Sequence, residues 1–362
     1  MKILLADGHD EGLYKCRKEL ISKLIANGEQ VFVSVPHGDY WEKIQALGCT
    51  MVLNDKMSRR GTNPVTDLRL LFHYHKILKT IKPDCVLTYS IKPNAYLGFL
   101  CGWKKISYIA NITGLGTAVE NGGLLSKISI FLYKIGLRKA KKVFFQNKLN
   151  CEKLVNCKVV TSNYEVIPGS GVNVEEHCFE PYPNENEDIR FITIGRIMRD
   201  KGTKELLTAA RNIKEIYPEV HFELIGFPDD ELEKEVKEAN DMGIVEYYGH
   251  QDDVHNYIKN SYAVIHPSYH EGMANALLEG GSSGRPVIAS CISGCKETFV
   301  EGVSGFGLTP KDAQSLEDTI LKFIRLKYSD KVKMGAMARK YVEQHFNRKI
   351  IIDAYLKEIY GK

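Results

Sequence analysis

Along the chain, short apolar runs alternate with longer stretches in which apolar positions recur every three or four residues. The first pattern marks strands buried on both faces and the second marks the helices that cover them, so the sequence reads as an α/β protein with parallel sheets. In the first half the strand runs are 2–6, 31–35, 51–53, 85–89, 108–112 and 143–146. A glycine-punctuated loop at 7–12 precedes a helix at 14–25, a turn from residue 58 opens a helix through Leu78, and Pro93 sits in a turn into another helix. The second half repeats the alternation, with strands 190–194, 220–225, 245–248 and 262–266 and helices 203–216, 230–239 and 253–259. Between the halves, 181–188 is rich in Pro, Asn and Glu and reads as a linker. Two doubly wound domains, 1–170 and 186–344, are expected, followed by a last helix within 345–362.

The most informative stretch is 266–290, HPSYHEGMANALLEGGSSGRPVIAS. A strand runs into a polar turn, a helix carries Ala276, Leu277 and Leu278 inward, glycines at 280–284 stop it, and a second strand follows at 287–289. Glu271 and Glu279 lie eight positions apart, so on a helix, at about 800° of rotation, they fall on roughly the same side. Backbone N–H groups at 273–276 would favour an anion between them. Hydroxyls for the carboxylates and a phosphate for the helix end describe a nucleotide sugar. Two glutamates flanking a helical turn also arise by chance. A second element, FITIGRIMRDKG, places Arg196 and Lys201 on one strand-to-helix loop, a fork and a point charge suited to a diphosphate. Two solvated loop cations are the plainer alternative.

Composition is that of an ordinary globular protein, 362 residues with 44% hydrophobic and 26% charged. The formal charge of +4 hides an asymmetry: residues 1–170 carry 25 Lys and Arg against 13 Asp and Glu, and the remainder 24 against 32. The first half is therefore suited to an anionic surface or acceptor. No basic motif with interleaved aromatics appears, so nucleic acid is not the expected partner. Nine cysteines without paired metal-ligand spacing read as reduced cytosolic thiols. Residue 1 leads straight into a strand, so no signal peptide is expected, and no apolar run reaches the roughly 20 residues that span a bilayer.

Gly195, Arg196, Lys201 and Gly202, then Glu271, Glu279, Gly284, Pro286, Val287 and Ile288, with Gly294, Glu297, Gly302 and Gly305 beyond, resemble family 4 of the glycosyltransferases in order and spacing. The resemblance implies the GT-B fold, two Rossmann-like domains facing across a cleft, and retaining transfer from a nucleotide sugar. It assigns Glu279 to the ribose, Glu271 to the transferred hexose, and Arg196 and Lys201 to the diphosphate. Gly195, Gly272, Met273, Ala274 and Asn275 complete the donor site, with the uracil against backbone near Tyr248 and Gly249. Three patches in the first half, at 58–68, 90–94 and 113–116, resemble a narrower bacterial group that adds N-acetylgalactosamine or a related sugar to a polyprenyl-diphosphate-linked acceptor. Gly12, Lys15, Arg17, Arg60, Lys92, Thr113 and Gly114 are the acceptor-binding candidates. Thr113 stands where many members of the broad family carry a histidine. The family's tail, by resemblance, crosses back onto the first domain.

The segment 124–142, LLSKISIFLYKIGLRKAKK, sets Leu124, Ile128, Phe131 and Ile135 at helical spacing beside Lys127, Lys134, Arg138 and Lys141. Such a basic amphipathic helix suits an anionic membrane surface; alternatively its apolar stripe packs on the sheet. The sequence contains no Asp-x-Asp, the usual divalent-metal holder of the other main transferase fold, so no metal and no cofactor are expected beyond the UDP-sugar itself. The expected enzyme works in the cytoplasm, peripherally on the inner face of the membrane. Two other readings remain: a UDP-sugar 2-epimerase, which needs no acceptor, and a noncatalytic sugar-nucleotide-binding subunit.

Overall fold

A computed structural model of the chain describes residues 1–57, 63–115 and 123–361. The chain forms two compact units, one of residues 1–170 with 351–362 and one of 171–350. The second unit thus takes in the whole of 181–188, where a linker was expected, and the first six residues of the 345–362 segment.

The first unit follows β1 (Lys2–Ala6), α1 (Asp10–Ala26), β2 (Gln30–Val35), α2 (Trp41–Gln45), β3 (Thr50–Leu53), α3 (Pro64–Ile81), β4 (Cys85–Tyr89), α4 (Gly98–Lys104), β5 (Ser107–Ile112), α5 (Gly123–Leu137), β6 (Lys142–Phe145), α6 (Lys148–Asn156) and β7 (Tyr164–Val166). Its seven strands are all parallel, in the order β3-β2-β1-β4-β5-β6-β7. Ile3 and Leu5 face one core and Leu4 and Ala6 the other, which explains why the central strands read as unbroken apolar runs.

Several helix boundaries differ from the sequence reading, and two of these differences move candidate residues. Helix α1 begins at Asp10, because the His9 ring accepts the Gly12 N–H and Asp10 and Glu11 fill the first turn, so 10–12 is helix and not loop. Helix α5 ends at Leu137, leaving Arg138 and Lys141 beyond it; Lys141 N–H bonds the carbonyl of Tyr108 and its ammonium that of Glu358.

The second unit follows β8 (Arg190–Ile194), α7 (Thr203–Ile216), β9 (His221–Ile225), α8 (Glu233–Asp241), β10 (Glu246–Tyr247), α9 (His255–Asn260), β11 (Ala263–His266), α10 (Asn275–Ser282), β12 (Val287–Ser290), β13 (Gly305–Leu308), α11 (Ala313–Ile324) and α12 (Tyr328–Phe346). A last helix, α13 (Arg348–Tyr360), starts here and puts Ile351, Tyr355 and Ile359 into the core of the first unit. The six parallel strands run β10-β9-β8-β11-β12-β13. The order reverses between β8 and β11, and a doubly wound sheet opens a crevice at the carboxyl ends of the strands where this happens. The loops after β8 and β11 are those that carry Lys201 and Glu271.

Arg285, at the end of the turn between α10 and β12, is fully buried. Its guanidinium donates to the carbonyls of Ile258 at 3.2 Å, Glu180 at 3.1 Å, Pro181 at 2.7 Å and Lys259 at 2.6 Å. Burial pushes its pKa down to about 10, and it stays charged at neutral pH. Arg285→Met would take this donor from the carbonyls of Glu180, Pro181 and Lys259, while that of Ile258 keeps the Ser261 N–H at 3.0 Å, at about 1–3 kcal/mol per buried group left unsatisfied. A loss of about 3 kcal/mol or more in guanidinium denaturation is expected; a loss below about 1 kcal/mol would contradict the clamp.

Candidate functional site

The site of the second unit is built on two neighbouring strands. β8 and β11 pair with Phe191 opposite Ala263 and Ile192 opposite Val264, so their ends lie side by side. After β8 the chain passes Gly195 and Arg196, makes a short turn at Arg199–Lys201 and enters α7 at Thr203. After β11 it passes 267–274 before α10. The loops are tied together by backbone: Tyr269 N–H donates to the carbonyl of Asp200 at 2.8 Å, and the Ser268 hydroxyl to the same carbonyl at 3.3 Å.

Two glycines let the loops close. Gly202 has φ +71°, and a Cβ there would lie 2.2 Å from the carbonyl oxygen of Pro267. Gly294, at φ +89°, would put a Cβ 2.8 Å from the carbonyl oxygen of Glu271. Gly294 is itself held by Glu297, whose carboxylate accepts its N–H at 2.7 Å and the Ser293 hydroxyl at 3.0 Å. The 267–272 segment is therefore pinched between two positions where a side chain does not fit.

Within this frame Glu271 Oε1 accepts from Lys201 Nζ at 2.5 Å and pairs with His266 Nε2 at 2.6 Å. Burial alone would raise the Glu271 carboxyl; Lys201 and His266 outweigh it and hold the group well below the usual carboxylate range. A lysine from one loop, a histidine from the end of β11 and a glutamate from the following loop thus form one charged cluster. Gly195, Arg196, Lys201 and His266 also line one small cavity at the ends of the strands. His266 had no assigned role in the sequence reading. A histidine ending a strand five positions before a loop glutamate is the signal that would have found it.

Other expected residues are placed differently from the reading. Glu271 precedes α10 by four residues, so helical rotation does not relate it to Glu279; Glu279, half-buried, lies within the helix. The glycines at 280 and 281 belong to the helix rather than stopping it. The N–H of Ala274 is spent on the carbonyl of Gly294 at 2.8 Å, which removes it from the anion-facing set at 273–276. Met273 and Asn275 are half-buried beside it and Gly272 precedes them in the loop. Arg196 is exposed and, among the described residues, has no ion-pair partner. Tyr248 donates its hydroxyl to Glu246 at 2.8 Å, and the Gly249 carbonyl accepts the Gly226 N–H at 2.8 Å, so this segment is fastened to the loop after β9.

In the first unit the described acceptor candidates follow β1, β4 and β5, which are neighbours in the sheet. Arg17 is a correction: it is 2% exposed, with its guanidinium 4.8 Å from the centre of the Tyr89 ring and 5.5 Å from that of Tyr355, and it cannot meet an acceptor. Lys15 pairs with Glu11 at 2.8 Å, and Lys92 pairs with Asp67 at 2.8 Å while Tyr96 holds the other oxygen of that carboxylate. Gly12 is exposed on the first turn of α1, Thr113 and Gly114 follow β5, and Arg60 lies outside the described residues.

A parallel sheet whose switch-point loops present a buried carboxylate, a lysine and an exposed arginine invites comparison with known sugar transferases. Residues 175–341 match the family described as "Glycosyl transferases group 1", and residues 2–147 match "Glycosyl transferase 4-like". The chain is thus a glycosyltransferase made of a 4-like domain followed by a group 1 domain. It is 27% identical to the N,N'-diacetylbacillosaminyl-diphospho-undecaprenol alpha-1,3-N-acetylgalactosaminyltransferase of Campylobacter jejuni, over 95% of this chain and 94% of that protein. It is 26% identical to the UDP-Gal:alpha-D-GlcNAc-diphosphoundecaprenol alpha-1,3-galactosyltransferase of Escherichia coli, over 73% and 72%. The crystal structure of Anabaena HepE in complex with UDP and glucose matches the whole of both chains with a TM-score of 0.81 at 17% identity. The fold of this glycosyltransferase is thus GT-B, with two Rossmann-like domains.

The Glu271 cluster gives a pH signature. A carboxyl depressed in the folded state from an ordinary value of 4.5 contributes stability that is present above that value and lost as pH falls towards the folded one. Glu271→Gln is therefore expected to be less stable than wild type at about pH 7, with a gap in urea midpoint that holds down to about pH 4.5 and narrows below it. A gap that stays constant or widens as the pH falls from about 4.5 to about 3 would contradict the ion pair.

Proposed function

We propose that the chain is a retaining, metal-independent transferase that moves a hexose or N-acetylhexosamine, first N-acetylgalactosamine, from a UDP-sugar to a polyprenyl-diphosphate-linked saccharide. The observation that carries the reading is the Lys201–Glu271–His266 cluster at the switch point, next to exposed Arg196. Breaking the glycosidic bond puts negative charge on the leaving diphosphate. Lys201 carries three N–H donors, of which the Glu271 oxygen takes one, so donors remain for phosphate oxygens together with Arg196. Glu271, held ionised, accepts from hydroxyls of the transferred sugar, and Glu279 accepts from the ribose. The relatives named above act on undecaprenyl-diphosphate-linked sugars and support the acceptor class. A site for assembling a surface glycan on such a lipid lies on the cytoplasmic face of the membrane.

The surface of the first unit supports peripheral docking there. The stripe on α5 is exposed, with Leu124 at 74% and Phe131 at 61%, while the helix buries Ser126, Tyr133, Gly136 and Leu137 instead. The stripe therefore does not pack on the sheet. α5 packs beside α4, and α4 beside α3, and these helices expose Phe99 and Trp103, and Leu68 and Phe72. Lys127 and Lys134 on α5 supply attraction to an anionic leaflet. No helix among the described residues is long and apolar enough to cross a membrane.

The test is a screen of UDP-sugars with EDTA present, with and without a polyprenyl-diphosphate-linked monosaccharide. Acceptor-dependent UDP release from one donor is expected; a free epimerised donor without acceptor, or tight UDP binding with no turnover, would replace the reading by the epimerase or the binding subunit. Arg196→Ala is expected to keep the melting temperature and to lower turnover about a hundredfold. Wild-type turnover in this variant would remove the diphosphate assignment. For docking, Leu124→Ser with Phe131→Ser is expected to abolish sedimentation with vesicles containing phosphatidylglycerol; unchanged sedimentation would refute the surface.

A further inference from the structure

A second cluster of reactive side chains lies in the same unit and shares no residue with the first. The irregular segment after Gly171 carries His177, Cys178 and Glu180, and the first turn of α9 carries His255. Cys178 Sγ lies 3.6 Å from Glu180 Oε1 and 3.7 Å from His255 Nε2, and His255 Nε2 lies 2.9 Å from Glu180 Oε1. Each of the three residues thus turns one donor atom to a common point. With metal–sulfur bonds of about 2.3 Å and metal–nitrogen or metal–oxygen bonds of about 2.0–2.1 Å, the edges of a tetrahedron are about 3.5 Å for S to N or O and about 3.3 Å for N to O. The two sulfur distances already match, and the His–Glu distance is that of a hydrogen bond whose proton a metal would replace.

The histidine is oriented for this. Its Nδ1 lies 3.4 Å from the Ser283 hydroxyl, which leaves Nε2 to face the thiol and the carboxylate, the arrangement that fixes a ligating imidazole. Beside it, the His177 ring sits edge-on at 5.9 Å between centroids, and its Nδ1 is buried with no hydrogen-bond partner among the described residues. A backbone frame stands ready as well: Arg285 holds the carbonyls of Glu180 and Pro181, and the Ser282 hydroxyl and Arg339 hold that of His177.

We propose that Cys178, Glu180 and His255 bind a zinc-class divalent ion with solvent in the fourth position, and that the ion fastens the start of the second unit to α9. Thiolate with imidazole selects such ions over magnesium or calcium, which prefer oxygen cages. A plain His255–Glu180 ion pair accounts for the His–Glu distance, whereas the two sulfur distances are those of the edges of a metal tetrahedron. The ion plays no part in the transfer reaction, so EDTA is expected to leave initial turnover intact at low temperature while it lowers the melting temperature of the chain. Binding displaces the thiol proton and the proton between His255 and Glu180.

The test uses the full chain, freed of any affinity tag and stripped with a chelator, titrated with cobalt(II) and then zinc at about 10 µM protein. One equivalent is expected, with proton release and a thiolate-to-cobalt charge-transfer absorption that zinc abolishes. Cys178→Ser is expected to remove the absorption and His255→Gln to weaken binding at least tenfold, whereas Cys291→Ser, at another exposed thiol, leaves both unchanged. No charge-transfer band in wild type, or a band that survives Cys178→Ser, would overturn the site. Because no readout involves a sugar donor, its failure would leave the transferase reading untouched, and the reverse holds as well.

Discussion

One carboxylate oxygen holds the second unit's site together. Glu271 Oε1 takes a proton donor from the loop after β8 and another from the end of β11, so two strand-end loops that also meet at the Asp200 carbonyl are locked by charge. A carboxylate at this depth is costly unless it is paired, and both partners are supplied by the fold before any ligand arrives. For the proposed reaction the same arrangement would prepare the chemistry, with the glutamate kept ionised and the lysine already positioned, the preorganisation that electrostatic catalysis requires. Gly202 and Gly294 are the steric condition of that pairing, since a Cβ at either would push the 267–272 loop off its place.

Most strands were legible in the sequence to within a residue or two. A strand covered on both faces must be apolar throughout, and 85–89 or 263–266 offers little freedom to shift. Helix ends were less legible because caps can come from unusual residues: His9 starts α1 where a loop was expected. The site was legible in its residue types and only partly in its geometry. Glu271 and Lys201 were recognisable by order and spacing, but their contact depends on β8 and β11 being neighbours, a fact of topology. Arg17 shows the opposite failure. Its position in the first helix made it an acceptor candidate, whereas the rings of Tyr89 and Tyr355, brought from distant parts of the chain, enclose it as a buried cation.

The two units distribute their chemistry unevenly. Acidic groups and the paired lysine belong to the second, while the first carries the excess of Lys and Arg together with three neighbouring helices whose large apolar side chains face solvent. An apolar surface of this kind is expensive in water and inexpensive at a lipid headgroup boundary, and the positive charge has the sign that an anionic leaflet attracts. Chain economy also shows in Arg285, which belongs to the glycine–arginine–proline turn after α10. It uses one buried charge to fasten both the turn and the segment where the second unit begins.

A crystal structure of the chain with UDP bound tests the central claim most directly. The diphosphate is expected within hydrogen-bond reach of Lys201 Nζ and Arg196, at the end of β8 and before α10, with the ribose hydroxyls on Glu279 and the Lys201–Glu271 contact retained. UDP bound elsewhere, or bound here with Lys201 facing only Glu271 and no phosphate oxygen near it, would contradict the assignment of this cluster as the donor site.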